Sequence, residues 1–233
     1  MNKRLDKYLC DQNIGTRSQV KSLIQKGQVT VNGEIIKKPE TKVSDSDIVC
    51  CQGTQLSNEE FAYYMFHKPA GIITATEDNW QETVLDYFKE EPCKNLYPVG
   101  RLDKDTEGLL LITNDGELGH RLLSPRHHIE KTYLVRLEHG INEEDIKQLE
   151  EGVDIGEKSI TLPAKVEIID AENVYITITE GKFHQVKRMF EVVNNKVIYL
   201  KRVSMGNMKL DEALGLGEYR RLTKEEIEYL KSL

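Results

Sequence analysis

Tyr97-Pro98-Val99-Gly100-Arg101-Leu102-Asp103-Lys104-Asp105-Thr106-Glu107-Gly108, followed by Leu109-Leu110-Leu111-Ile112-Thr113, is the stretch on which the reading of this chain turns. The second half is a continuous apolar run, short enough for a buried strand. The first half is irregular, bracketed by two glycines behind a proline. It packs three carboxylates (Asp103, Asp105, Glu107) and two bases (Arg101, Lys104) into a few positions. Charge concentrated on a loop that a rigid strand supports is the usual setting for function. Composition alone nevertheless favours a solvated surface turn over a catalytic loop.

On either side of this stretch the chain mixes strands with helices. Tyr63-Tyr64-Met65-Phe66 reads as a strand that Lys68-Pro69-Ala70-Gly71 turns. Tyr133–Leu137 and Val174–Ile178 alternate like half-buried strands, whereas Val186, Met189, Phe190 and Val193 space out a helical stripe after Gly181. Thr223 with Glu226 forms a capping box that opens a last helix. Strands outnumber helices without strict βαβ alternation. That pattern predicts an α+β body on a mixed, mainly antiparallel sheet flanked by helices.

The first 56 residues read as a separate helix-helix-hairpin module. Leu5, Tyr8 and Leu9 mark a first helix, which Gly15 ends. Thr16 with Gln19 caps a second helix whose stripe is Val20, Leu23 and Ile24, and Gly27 follows as its C′ residue. Arg17 and Lys21, four apart, share a face of that helix and can reach phosphates. Asn32-Gly33 between two β-rich runs is a hairpin signal, because both turn positions need positive φ. The run 47–51 adds a strand, on which the side chains of Cys50 and Cys51 point to opposite faces. Residues 57–60 continue a polar, aperiodic stretch and read as a linker, with the body over 61–233.

Composition sets outer limits. The net charge of −7 over 233 residues is unevenly spread. Residues 1–44 hold nine Lys/Arg against four acids, a surplus of five positive charges, which leaves twelve net negative charges on the rest. A basic head on an acidic body suits a protein that meets a polyanion at one end, although a solvated charged surface explains the charge equally well. No apolar run reaches the roughly 20 residues that span a bilayer, and the N-terminus lacks a signal-peptide core. These features exclude a membrane partner and predict a cytoplasmic protein. Without a CxxC pair or a Cys/His cluster, neither a disulfide framework nor a metal site is expected.

The string Gly100-Arg101-Leu102-Asp103-x-Asp105-Thr106-x-Gly108-Leu109-Leu110 resembles the catalytic motif of pseudouridine synthases, in particular the branch that acts on the ribosomal small subunit (the RsuA family). Four further segments agree, in the order that branch uses: His67-Lys68-Pro69-Ala70-Gly71, Lys131-Thr132-Tyr133, residues 181–189 (Gly-Lys-Phe-His-Gln-Val-Lys-Arg-Met) and the closing residues 216–222. Residues 2–52 resemble the RNA-binding domain named after the fourth small-subunit ribosomal protein. The resemblance therefore covers nearly the whole chain.

The resemblance implies isomerisation of a ribosomal RNA uridine to pseudouridine with no cofactor. It makes Asp103 the nucleophile, attacking the ribose or the uracil ring. Lys187 becomes its cationic partner, where many relatives elsewhere in the superfamily use arginine. Tyr133 becomes the residue that stacks on the flipped base and assists proton movement. RNA is expected on Arg17, Lys21 and Lys42, with Lys37 and Lys38 extending that surface. Arg101 either holds the flanking backbone or fills the gap that the base leaves, and His184 and Gln185 line the edge of the site or start a helix. Asp105 and Thr106 are expected to fix the loop through local side-chain-to-backbone bonds. Trp80 reads as core or surface patch ahead of a base-stacking role. The form of residues 181–189 is similar to that of family members that modify uridine 516 of 16S rRNA, with large-subunit (23S) enzymes as the alternative. The implied partner is ribosomal RNA or a partly assembled small subunit, and the implied state a monomer. A non-catalytic RNA-binding ribosome-assembly protein would share the head but has no need of Asp103, Tyr133 and Lys187 together. An RNA methyltransferase would want a glycine-rich cofactor loop, which the body lacks.

Overall fold

A computed structural model describes residues 3–12, 14–44, 46–56, 61–93 and 95–233, so the linker expected at 57–60 lies outside the described residues. The chain divides into two compact units. One is Met1–Ala62 with Glu91–Asn95, the other Tyr63–Glu90 with Leu96–Leu233.

In the first unit, β1 (Lys3–Arg4) leads into α1 (Leu5–Asp11) and α2 (Arg17–Gln25). There follow β2 (Val29–Val31), β3 (Glu34–Ile35), β4 (Lys42–Val43), β5 (Val49–Cys51) and β6 (Thr54–Gln55). α1 stops at Asp11, earlier than Gly15, because the chain folds back. The amide of Ile14 donates to the carbonyl of Leu9, and the Ile14 side chain packs on the core. The capping box of α2 is present, with the side chain of Gln19 accepting from the Thr16 amide at 2.8 Å. Gly27 takes φ +72°, and the amides of Gly27 and Gln28 donate to the carbonyls of Ile24 and Leu23, a Schellman ending. Asn32 (φ +52°) and Gly33 (φ +86°) make the β2–β3 turn. Leu5, Leu9, Val20, Ile24, Val29 and Val49 are fully buried together. At about 1.5–3 kcal/mol for each buried large aliphatic side chain, this core is what holds so small a unit.

The second unit carries β7 (Tyr63–Lys68), a 3-10 turn at Val84–Phe88, β8 (Tyr97–Val99), β9 (Glu107–Thr113), α3 (Gly116–Leu123), a 3-10 turn at Pro125–His127, β10 (Lys131–Leu137) and α4 (Glu143–Glu151). Then come β11 (Lys165–Ile168), β12 (Asn173–Ile178), α5 (Gln185–Val192), β13 (Val197–Met205), β14 (Met208–Lys209), β15 (Tyr219–Arg221) and α6 (Lys224–Ser232). Nine strands form one sheet in the order β11-β12-β10-β13-β9-β7-β15, with β14 added to β13 and β8 to β9. Only the β13–β9 junction is parallel; every other pairing is antiparallel. The sheet is thus mixed and mainly antiparallel.

Every residue of β7 is buried, because both its faces are covered. Tyr63 and Met65 join Leu109, Leu111, Leu118, Leu122 and Leu230 in one cluster, which takes in α3 and α6. Tyr64 and Phe66 face the other way, where Phe88 meets both edge-on and Tyr219 meets Tyr64 edge-on and lies tilted against Phe88.

One approach fixes how the charged loop enters the sheet. Gly108 pairs with Arg202 across the parallel junction at φ +109°, and a Cβ there would stand 2.2 Å from the Arg202 carbonyl oxygen. Only glycine allows that approach.

Candidate active site

Asp103 sits on the irregular segment between β8 and β9, which is fastened at several points. Thr74 Oγ1 donates to the Leu102 carbonyl at 2.7 Å and accepts from its amide at 3.2 Å. The Thr106 amide donates to the Asp103 carbonyl, and the Gly71 amide to that of Lys104. From below, the fully buried Lys68 donates through Nζ to the carbonyls of Pro69 (2.9 Å), Thr106 (2.9 Å) and Lys104 (3.3 Å). Burial pushes the Lys68 amine down to about 8, although Asp105, Asp103 and Glu107 pull the other way. Lys104, on the same segment, donates to Gln81 Oε1 at 2.8 Å. The segments around Lys68 and 73–83 thus hold Asp103 in place.

Lys187 comes from the first turn of α5. Its Nζ stands 3.2 Å from Asp103 Oδ2 and 2.5 Å from Asp105 Oδ1. A cation in the first turn of a helix faces the positive end of the helix dipole, and the two carboxylates offset that. Burial works against the charge of Lys187, but Asp105 and Asp103 outweigh it and raise its pKa. Burial likewise works against the ionised form of Asp105, and Lys187 outweighs it, so the Asp105 carboxyl titrates below the usual range. The expectation that Asp105 and Thr106 fix the loop by local side-chain-to-backbone bonds is met only in part, by the Asp105 carboxylate with its own amide. Asp105 turns to Lys187, a stronger, charged partner from a distant helix. The buried Thr106 hydroxyl has no hydrogen-bond partner among the described residues, and only the Thr106 backbone braces the loop.

A cleft opens over Asp103, lined by Arg101, Leu102, Thr106, Tyr133, Ile178, Gly181, Lys182, His184, Gln185, Val186 and Leu200. Tyr133 arrives on β10, opposite Ile176 on one side and Arg202 on the other, and is largely buried. Lys187, largely buried, reaches Asp103 from α5. Arg101 is exposed at the cleft. His184 caps α5 in the left-handed region (φ +49°, ψ +34°), and its Nε2 is 3.6 Å from Asp103 Oδ1. Its ring is stacked on that of Phe183 with 3.8 Å between centroids and 19° between planes. The Gln185 side chain is committed elsewhere: it accepts from the Lys182 amide at 2.9 Å and donates to Glu180 at 2.8 Å, bracing the turn before α5.

In the other unit Arg17, Lys21, Lys37, Lys38 and Lys42 are all exposed. Trp80 lies at the surface and not in a core, 92% exposed on a turn that Asp78 holds through the amides of Trp80 and Gln81. Among the described residues no helix is long and apolar enough to cross a membrane.

Sequence reasoning gave no side-chain role to Lys68 or Phe183. Lys68 had left a trace. It continues the two-residue period of Tyr64 and Phe66, which points it inward.

The sequence profile of the family described as RNA pseudouridylate synthase matches residues 62–192, and that of the S4 domain matches residues 3–49. A Bacillus subtilis (strain 168) protein named "Uncharacterized RNA pseudouridine synthase YtzG" is 49% identical, covering 97% of this chain and 98% of its own. "Ribosomal small subunit pseudouridine synthase A" of Vibrio cholerae is 44% identical, covering 96% and 97%. A solved structure titled "Crystal structure of pseudouridylate synthase" superposes with a TM-score of 0.70 at 44% identity, covering 97% of this chain and 99% of that one.

Proposed function

The chain belongs to the RNA pseudouridylate synthase family, and from that premise we propose that it converts one uridine of small-subunit ribosomal RNA, uridine 516 of 16S rRNA, to pseudouridine, with Asp103 as nucleophile and no cofactor. The observation that carries the reading is the pairing of Asp103 with Lys187 at 3.2 Å, in a cleft that Tyr133 also lines. The three residues lie on distant segments and meet only through the sheet.

The chemistry follows from this placement. The target uridine leaves its stack, at a cost of roughly a few kcal/mol, and enters the cleft over Asp103. The ionised carboxylate, with the Lys187 cation behind it, attacks the ribose or the uracil ring and forms a covalent adduct. The bond from ribose to N1 breaks and a bond from ribose to C5 replaces it. The bond to Asp103 breaks, the hydrogen displaced from C5 leaves as a proton while N1 takes one up, and the Tyr133 hydroxyl is placed to assist. No atoms are gained or lost, so these side chains supply nucleophile, charge and stacking. Arg101 at the cleft mouth holds the flanking backbone or fills the vacated space. Arg17, Lys21 and Lys42 of the head bind ribosomal RNA, free or in a partly assembled small subunit, and the protein acts as a cytoplasmic monomer. The name of the Vibrio cholerae relative supports the small-subunit assignment.

Two experiments test this. Asp103→Asn should fold and bind unmodified 16S rRNA yet form no pseudouridine; appreciable activity in that variant would sink the assignment. Mapping pseudouridines in a strain that lacks the protein should show one site lost from 16S rRNA. A site lost from 23S rRNA instead would move the substrate to the large subunit.

A further inference from the structure

Phe183 stands in the chain between Lys182 and His184, which both line the cleft, and is 67% exposed. One face of its ring is covered by His184, whose Nε2 is 3.6 Å from the Asp103 carboxylate. The placement is fixed from both sides. The Phe183 carbonyl accepts from Arg188 Nη1 at 3.1 Å, and Lys182 Nζ is held by the carbonyls of Ser159 and Ile160. His184 adopts a left-handed backbone with no side-chain cap bond, a conformation that a non-glycine residue keeps only where its surroundings impose it. An aromatic ring stacked on its neighbour over a fastened backbone is unlike an apolar side chain left loose on a surface.

Removing a base from its stack leaves the neighbouring base with one face bare. We propose that Phe183 covers that face: the base next to the target uridine stacks on Phe183, continuing the pile that His184 begins beside Asp103. The occupant is a nucleic-acid base because a flat apolar ring offers a π-face and no hydrogen-bond pattern, which suits any base. The inference rests on the reading that a uridine turns into the cleft over Asp103. It gives Phe183 a positioning role for the substrate, separate from the chemistry.

The test is a cycle between protein and RNA. Ribosomal RNA is built by splint ligation around the mapped target uridine, either intact or with an abasic site on its 5′ or 3′ side. Single-turnover kcat/KM is measured for wild type, Phe183→Leu and Phe183→Trp, with Asp103→Asn as control. On intact RNA, Phe183→Leu should lose roughly ten- to hundredfold, the range for one base–aromatic stack, while Phe183→Trp stays within about threefold of wild type. On RNA abasic at the stacked side, wild type and Phe183→Leu should be equal. Near-wild-type activity of Phe183→Leu on intact RNA overturns the proposal. So does a loss of the same size on both abasic RNAs, which would mark Phe183 as a purely structural residue. If Asp103→Asn keeps its activity, the underlying reading fails, whatever the Phe183 variants do.

Discussion

Lys187 lies nearer to Asp105, at 2.5 Å, than to Asp103, at 3.2 Å. The lysine is thus shared, and the more exposed carboxylate holds it beside the less exposed one. Because both carboxylates raise the Lys187 pKa, removing one lowers it. In Asp105→Asn the alkaline limb of the single-turnover pH–rate profile should therefore move to lower pH, with a modest change at neutral pH. In Lys187→Met the rate should fall on the order of a hundredfold or more at every pH. An unmoved alkaline limb in Asp105→Asn would show that Lys187 does not need Asp105.

A second prediction concerns Lys68. Its amine titrates near 8 in the folded protein, against 10.5 for an ordinary lysine. Below pH 8 both states hold the proton, and the cost of burying the charge is complete and constant. Between about 8 and 10.5 the unfolded chain binds more protons than the folded one, so stability rises with pH through that window. Lys131, also near 8 through burial, acts in the same direction. Chemical denaturation from pH 7 to 10 should show wild type gaining on Lys68→Met above pH 8. A difference that stays flat across the window would contradict the burial argument.

The third prediction is structural. At Gly108 an added Cβ meets the Arg202 backbone at 2.2 Å, and φ is +109°. Gly108→Ala should destabilise the second unit by about 3 kcal/mol or more, since it forces apart two paired strands. Urea unfolding measures this, and a loss under about 1 kcal/mol would mean that the junction has more slack than its geometry implies.

Binding of RNA by the head gives a fourth. Arg17→Ala with Lys21→Ala should weaken rRNA binding and make its dependence on salt less steep, by about one unit of slope for each phosphate left without its cation. Titrations at several salt concentrations read both. Unchanged affinity at moderate salt would remove the head from the binding surface.

What the sequence made legible was local. The Thr16–Gln19 and Thr223–Glu226 capping boxes, the Asn32-Gly33 turn and the stripe of α5 each depend on neighbours within a few residues, and all are present. What it concealed was non-local. Lys68 owes its role to carbonyls 36 and 38 residues away, and Asp105 its partner to a helix 82 residues on. No spacing rule reaches so far. Asp103, Tyr133 and Lys187 stood out as a set only through resemblance, because composition alone gave the loop no more than the look of a charged turn.

The order of strands bears on how the protein is made. β13, synthesised after β7 to β12, lies between β9 and β10 near the middle of the sheet. Until it leaves the ribosome, β7, β8 and β9 on one side and β10, β11 and β12 on the other have no shared strand to join them. Long-range pairing of this kind is slow and comes late. The nascent chain thus carries Asp103 well before the sheet that brings Lys187 to it is closed, and the two cannot be locked together until β13 has been made.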